Sequence, residues 1–182
     1  MNFILKKVEY RDKKEIIKYI KEMYKYNSAM NGFGRLQDFI NEEKNDFDGW
    51  YNKIKLEEIS DFPKICYVMC KEKSDYIYGM VNIRMVPDLG EYEFGHIGYS
   101  IRPKERGKGL SELQLYFSLN ELYKNKIETC LMVCDKHNIR SKRTIKSLGG
   151  IFESEINNEE HYLINVKKSL KENKKRFEKY IV

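Results

Sequence analysis

Residues 101–111 read Ile-Arg-Pro-Lys-Glu-Arg-Gly-Lys-Gly-Leu-Ser. Two glycines one residue apart, Gly107 and Gly109, stand among Arg102, Lys104, Arg106 and Lys108. A strand-like run over 95–101 leads in, and a helix-like run over 110–126 leads out. A glycine turn that feeds a helix start presents unpaired backbone N–H groups, and the helix dipole adds partial positive charge there. Glycine also lets the backbone come close to a ligand. With four cations around it, the segment reads as a phosphate-binding turn.

Three phosphate loops compete for this stretch. A P-loop needs two glycines five apart, then Lys and Ser or Thr; Gly107 has no such partner. A dinucleotide fingerprint needs a third glycine inside a βαβ unit; position 112 is Glu. The third pattern is R-x-x-G-x-G/A. Residues Arg106, Gly107, Lys108, Gly109, Leu110 and Ser111 match it except at the last place, where Ser111 stands.

The elements around the turn follow from periodicity. Residues 3–8 alternate as a first strand. Asp12 is placed to cap a helix over 13–26, with Ile16, Ile17, Ile20, Met23 and Tyr24 at helical spacing. A more polar helical region spans 36–56, with a break expected at Asp48-Gly49 and Trp50 packing it onto the core. Residues 64–70 and 76–85 form a hairpin, and 92–101 form the next strand. After the turn and its helix come a strand (128–134), a helix (141–148), a last hairpin (150–155 with 162–167) and a charged terminal helix (169–181). Pro63, Pro87 and Pro103 all fall at strand edges, where no ladder bond is lost. The class is α/β or α+β, with a mixed, mostly antiparallel central sheet and helices on both faces. A single domain over 1–182 is expected.

Here the motifs resemble the GNAT superfamily of acetyl-CoA-dependent N-acetyltransferases. Residues 106–111 are similar to its pyrophosphate signature. Gly95-His96-Ile97-Gly98-Tyr99-Ser100-Ile101 resembles its fourth strand, and Cys134-Asp135-Lys136-His137-Asn138 with Ser141 and Gly149-Gly150 its fifth strand and following helix. The likeness is to a bacterial subfamily of predicted acetyltransferases and is strongest over residues 77–153.

The resemblance implies acetyl-CoA as cosubstrate and acetyl transfer to a primary amine of a small molecule or peptide, in a ternary complex. It implies that residues 106–111 cradle the pyrophosphate. The backbone of Tyr99 and Ile101 pairs with the pantetheine arm, Asn138 bonds that arm, and Ser141 caps the next helix. An aromatic general acid is usual where Ile145 stands, so that role is vacant, moved or filled by water, with Tyr99 and Cys134 as the candidate substitutes. A base needs a pKa near the operating pH, which suits His96 or a desolvated Glu93. Strand alternation puts Glu91 and Glu93 on the face of Tyr99 and His96 on the other. The competing reading of His96 is a satisfied core histidine. Arg84 is a candidate for a carboxylate on the acceptor, and His137 and His161 read as surface residues. An acyl-CoA-binding regulator without turnover is the alternative function, and a homodimer stays open.

Composition narrows the rest. The chain has 182 residues, 41% apolar, with 34 basic and 28 acidic residues for a net +6. No apolar run reaches the roughly 18 residues of a membrane span, and no signal peptide is visible, so the cytoplasm is expected. The acids are interleaved with the bases, which argues against nucleic acid. Cys66/Cys70 and Cys130/Cys134 are spaced like zinc ligands. On strands, four residues span about 13 Å, too far for one metal, so reduced buried thiols and no metal are expected.

Overall fold

The computed structural model describes residues 2–41, 44–87 and 95–180. Four strands, β1 (Phe3–Lys7), β2 (Lys64–Lys71), β3 (Ile77–Arg84) and β4 (Ile97–Ile101), pair antiparallel in the order β1-β2-β3-β4. Three more, β5 (Thr129–Asp135), β6 (Ile151–Ile156) and β7 (Glu159–Asn165), pair antiparallel in the order β5-β7-β6. Strands β4 and β5 are therefore facing edges of two sheets.

Helices cover both faces. On one side lie α1 (Lys13–Lys25) and α2 (Phe47–Glu58), over Cys66, Val68, Ile77 and Met80. On the other lie α3 (Leu110–Lys124), α4 (Ile139–Ser147) and α5 (Val166–Phe177), over Tyr67, Met69, Val81, Ile97 and Ile101. Strand β2 is thus buried on both faces, which is why Ile65 to Cys70 run apolar or aromatic without alternation. All four cysteines are free and buried within these strands.

Several boundaries differ from the sequence pattern for local reasons. Asp12 precedes α1, but its carboxylate accepts from the Glu9 N–H at 3.0 Å and from Lys6 at 2.8 Å instead of capping α1. The polar region 36–56 is not one helix broken at Asp48-Gly49. It holds a 3-10 turn, Leu36–Asp38, and then α2, whose cap is Asp46, accepting from the Gly49 N–H at 2.8 Å. Trp50 is buried and donates to the Phe33 carbonyl at 2.9 Å. Helix α5 starts three residues earlier than its charge pattern suggests, because Asn165 accepts from the Lys168 N–H. It folds back on α3, with Phe177 and Tyr116 rings 4.8 Å apart.

Candidate functional site

The register of β4 decides which backbone groups are available. Arg84 N–H donates to the His96 carbonyl at 2.8 Å, and Arg102 N–H to the Tyr78 carbonyl at 2.9 Å. With Gly98 opposite Asn82 and Ser100 opposite Met80, the even residues bond β3. Ile97, Tyr99 and Ile101 turn their N–H and C=O groups to the other edge, toward β5.

His96 fixes where that edge opens. Its N–H donates to the Leu131 carbonyl at 2.8 Å. Its Nδ1 accepts from the Leu131 N–H at 2.9 Å, and Nε2 lies 3.0 Å from the Val86 carbonyl. Accepting at Nδ1 places the ring proton on Nε2, which donates to Val86. The ring is 1% exposed, and burial pushes its pKa below the ordinary value. Both nitrogens are spent on backbone, so the arrangement favours the satisfied core histidine over the general base. Beyond this junction β4 and β5 are not paired.

At the far end of β4 the chain makes the glycine turn. Gly107 and Gly109 have φ of 78° and 73°, the left-handed region that glycine tolerates best, and no atom lies within 4 Å of where a Cβ would stand. Among the described residues, the N–H groups of residues 107–111 meet no acceptor. An open glycine backbone with unbonded N–H groups at a helix start fits a pyrophosphate. Ser111 does not obstruct it: its hydroxyl turns to Thr144 on α4, at 3.1 Å, while Thr144 donates to the Arg140 carbonyl.

The cations divide. Arg102, only 4% exposed, faces α1, where it meets Glu15 at 2.8 Å and Glu22 at 3.7 Å and stacks 4.2 Å from the Tyr76 ring. It is a buried anchor and not part of the phosphate rim. Arg106 ties the turn to β4 by donating from Nε to the Ile101 carbonyl at 3.1 Å. Lys108 pairs with Glu105 at 2.7 Å.

Across the opening, α4 begins at Asn138. The Asn138 side chain accepts from the Ser141 N–H at 3.1 Å, so Asn138 is the cap and Ser141 is the capped residue, the reverse of the sequence expectation. Ser141 Oγ instead lies 3.2 Å from the Tyr99 hydroxyl. Burial raises the Tyr99 phenol above its ordinary pKa, with the Ser141 and Thr144 hydroxyls pulling the other way. Burial likewise raises the Cys134 thiol, against the same Ser141. Ile145 is wholly buried in the core. Tyr99, Cys134, Ser141, Thr144 and Ser111 thus form one polar seam from β4 to the two helix starts, which spacing alone did not assemble.

Glu91 and Glu93 lie outside the described residues. Arg84 donates from its guanidinium to the Gly95 carbonyl at 2.9 Å. His137 is exposed and His161 half-buried. On the face opposite α3, Gly32 lies so close that a Cβ would stand 2.5 Å from the Met80 carbonyl and 2.9 Å from that of Gly98. The segment between α1 and α2 therefore presses directly on β4 beside Tyr99.

A family model described as an acetyltransferase (GNAT) domain matches residues 3–151. No curated protein sequence matches the chain. Among solved structures, Mycobacterium smegmatis RimJ in complex with CoA-disulfide has a TM-score of 0.73 at 12% identity, over 96% of this chain and 88% of that one. Ribosomal-protein-S5-alanine acetyltransferase from Vibrio fischeri has a TM-score of 0.65 at 17% identity, over 91% and 94%. Salmonella typhimurium yncA with its cofactor acetyl-CoA has a TM-score of 0.60 at 14% identity, over 91% and 95%. Among the described residues no helix is long and apolar enough to cross a membrane. The structural likenesses establish the fold, and the family match over residues 3–151 establishes that this chain belongs to the GNAT acetyltransferases, enzymes that transfer an acetyl group from acetyl-CoA.

Proposed function

We propose that the chain, as one domain over 1–182, transfers the acetyl group of acetyl-CoA to a primary amine of a small molecule or peptide. The amine attacks directly while both substrates are bound. The observation that carries this reading is the run of unbonded N–H groups over 107–111, set at the end of the free edge of β4.

Each residue then has a physical task. The backbone of Arg106, Gly107, Lys108, Gly109, Leu110 and Ser111 holds the pyrophosphate. Tyr99 offers its edge N–H and C=O and Ile101 its edge N–H to the pantetheine amides, as an added strand would, while the Ile101 carbonyl holds Arg106. An edge N–H aimed at the thioester carbonyl supports the negative charge that grows there. Asn138 acts through α4, whose start it caps, and Ser141 orients the Tyr99 hydroxyl. Tyr99 returns a proton to the departing thiolate, because burial keeps its phenol protonated. With both His96 nitrogens engaged, Glu93 remains for taking the proton from the amine.

The test is thermal unfolding with acetyl-CoA at 1 mM, beside NAD and ATP, followed by an amine screen. A dissociation constant near 10 μM adds about 2.7 kcal/mol, a shift of about 5–11 °C for a chain this size. Gly109→Val should erase the shift while leaving the unliganded protein folded. An unchanged shift in that variant sinks the site assignment.

A further inference from the structure

The positive charge of this chain is not spread over its surface. Residues 166–180 carry seven Lys or Arg against two Glu, a net +5 of the whole chain's +6. All seven cations are exposed, while Val166, Ser169 and Phe177 turn inward. This segment also lies beyond residue 151, where the family match ends.

Helix α5 crosses α3 so that its last turn arrives beside the glycine turn. Ser169 near its start donates to the Leu148 carbonyl at 2.6 Å. At its end Phe177 packs on Tyr116, and Tyr180 lies 6.2 Å from the Phe3 ring. Between that end and the turn is a cavity of about 170 Å³, lined among others by Lys108, Gly109, Leu110, Arg176, Lys179 and Tyr180. Arg176 pairs with Glu112, the residue just past Ser111. An unpaired Glu112 carboxylate would compete with an anion for the N-terminal end of α3, and Arg176 neutralises it.

We infer that the end of α5 and the 3-10 turn that follows it (Glu178–Tyr180) form the wall of the cosubstrate site that recognises a phosphorylated nucleoside, with Lys179 and Arg176 reading the 3′-phosphate of coenzyme A. This rests on the proposed use of acetyl-CoA. The cavity continues the phosphate turn, adds cations to it and supplies the Tyr180 ring as a flat apolar surface for a purine. The lysines farther back, Lys167, Lys168 and Lys171, lie near the start of α5 and serve only to attract the anion over distance.

The experiment compares the affinities of coenzyme A and 3′-dephospho-coenzyme A by calorimetry. One charge-assisted phosphate contact corresponds to about tenfold in affinity, so the wild type should prefer coenzyme A by that factor. Lys179→Gln and Arg176→Gln should each shrink the preference to about threefold or less, with circular dichroism unchanged. The paired change Lys167→Gln with Lys168→Gln should leave the ratio intact and lower only the association rate at low salt. Equal affinities in the wild type overturn the inference, as does an unchanged ratio in both Lys179→Gln and Arg176→Gln. A ratio lost equally in the distant double variant overturns it in favour of a diffuse field. Failure of the wild type to bind either compound would instead remove the acetyl-CoA reading itself.

Discussion

Replacing His96 by Phe separates a structural staple from a catalytic base. The ring of Phe fills nearly the same space, so no cavity term enters. What is lost are two hydrogen bonds in a closed environment: the Leu131 N–H loses Nδ1, and the Val86 carbonyl loses Nε2–H. Leaving a buried polar group unsatisfied costs about 1–3 kcal/mol, so the pair amounts to about 2–6 kcal/mol, a large share of the roughly 5–15 kcal/mol that holds a domain together. Urea unfolding at pH 7 measures it. The pH dependence gives a second readout. The folded pKa of His96 lies below its unfolded value, because burial disfavours the charged ring by more than its bonds to the Val86 and Leu131 backbone favour it. The unfolded chain then binds the extra proton first. The contribution of His96 is complete above about pH 6.5 and declines as the pH falls below it, by at most about 1.4 kcal/mol per unit. The Phe variant should lack that slope between about pH 5 and 7. The acetyl-CoA KM should rise, because the point at which β4 and β5 part is no longer fixed. A loss below about 1 kcal/mol with the slope intact would refute this account. A folded variant with normal KM and no turnover would return His96 to the role of base.

Two other substitutions test neighbouring claims. Tyr99→Phe should lower kcat by about 10²–10⁴-fold and leave the coenzyme A dissociation constant within about threefold, since the backbone of residue 99 makes the proposed contact; equal loss in binding and turnover would make the phenol a packing group. Arg102→Met should destabilise by about 3–5 kcal/mol, because Glu22 would lose the guanidinium and Glu15, largely closed from water, would keep only the exposed Lys18, and a change within about 0.5 kcal/mol in urea unfolding would mean the guanidinium is a surface group after all.

What could be read from the sequence was what depends on near neighbours. The glycine turn is a local object: its φ values, its free N–H groups and its place between strand and helix all follow from residues 95–126. Strand and helix order was legible for the same reason. Roles set by distant partners were not. His96 takes its meaning from Leu131, thirty-five residues on, and nothing in Gly-His-Ile-Gly announces that partner. Asn138 and Ser141 are both capping types three apart, and only the backbone direction entering α4 decides that Asn138 accepts and Ser141 donates.

Arg102 and the C-terminal helix are different, because the sequence did hold their signals. Alternation puts Arg102 with Gly98 and Ser100, the face that meets Tyr19 on α1, and so away from the α3 side on which Ile101 packs. The strand period sets the direction of Arg102 because it follows directly on β4, whereas Lys104 and Arg106 lie in and just after the 3-10 turn Pro103–Glu105, where that period no longer applies. For α5, the net +6 averaged over 182 residues looks like a bland surplus, whereas a window over residues 166–180 shows where it resides. Electrostatic attraction falls off within about 10 Å in salt. Charge therefore acts where it is concentrated, and here that is the helix whose last turn ends against the phosphate turn.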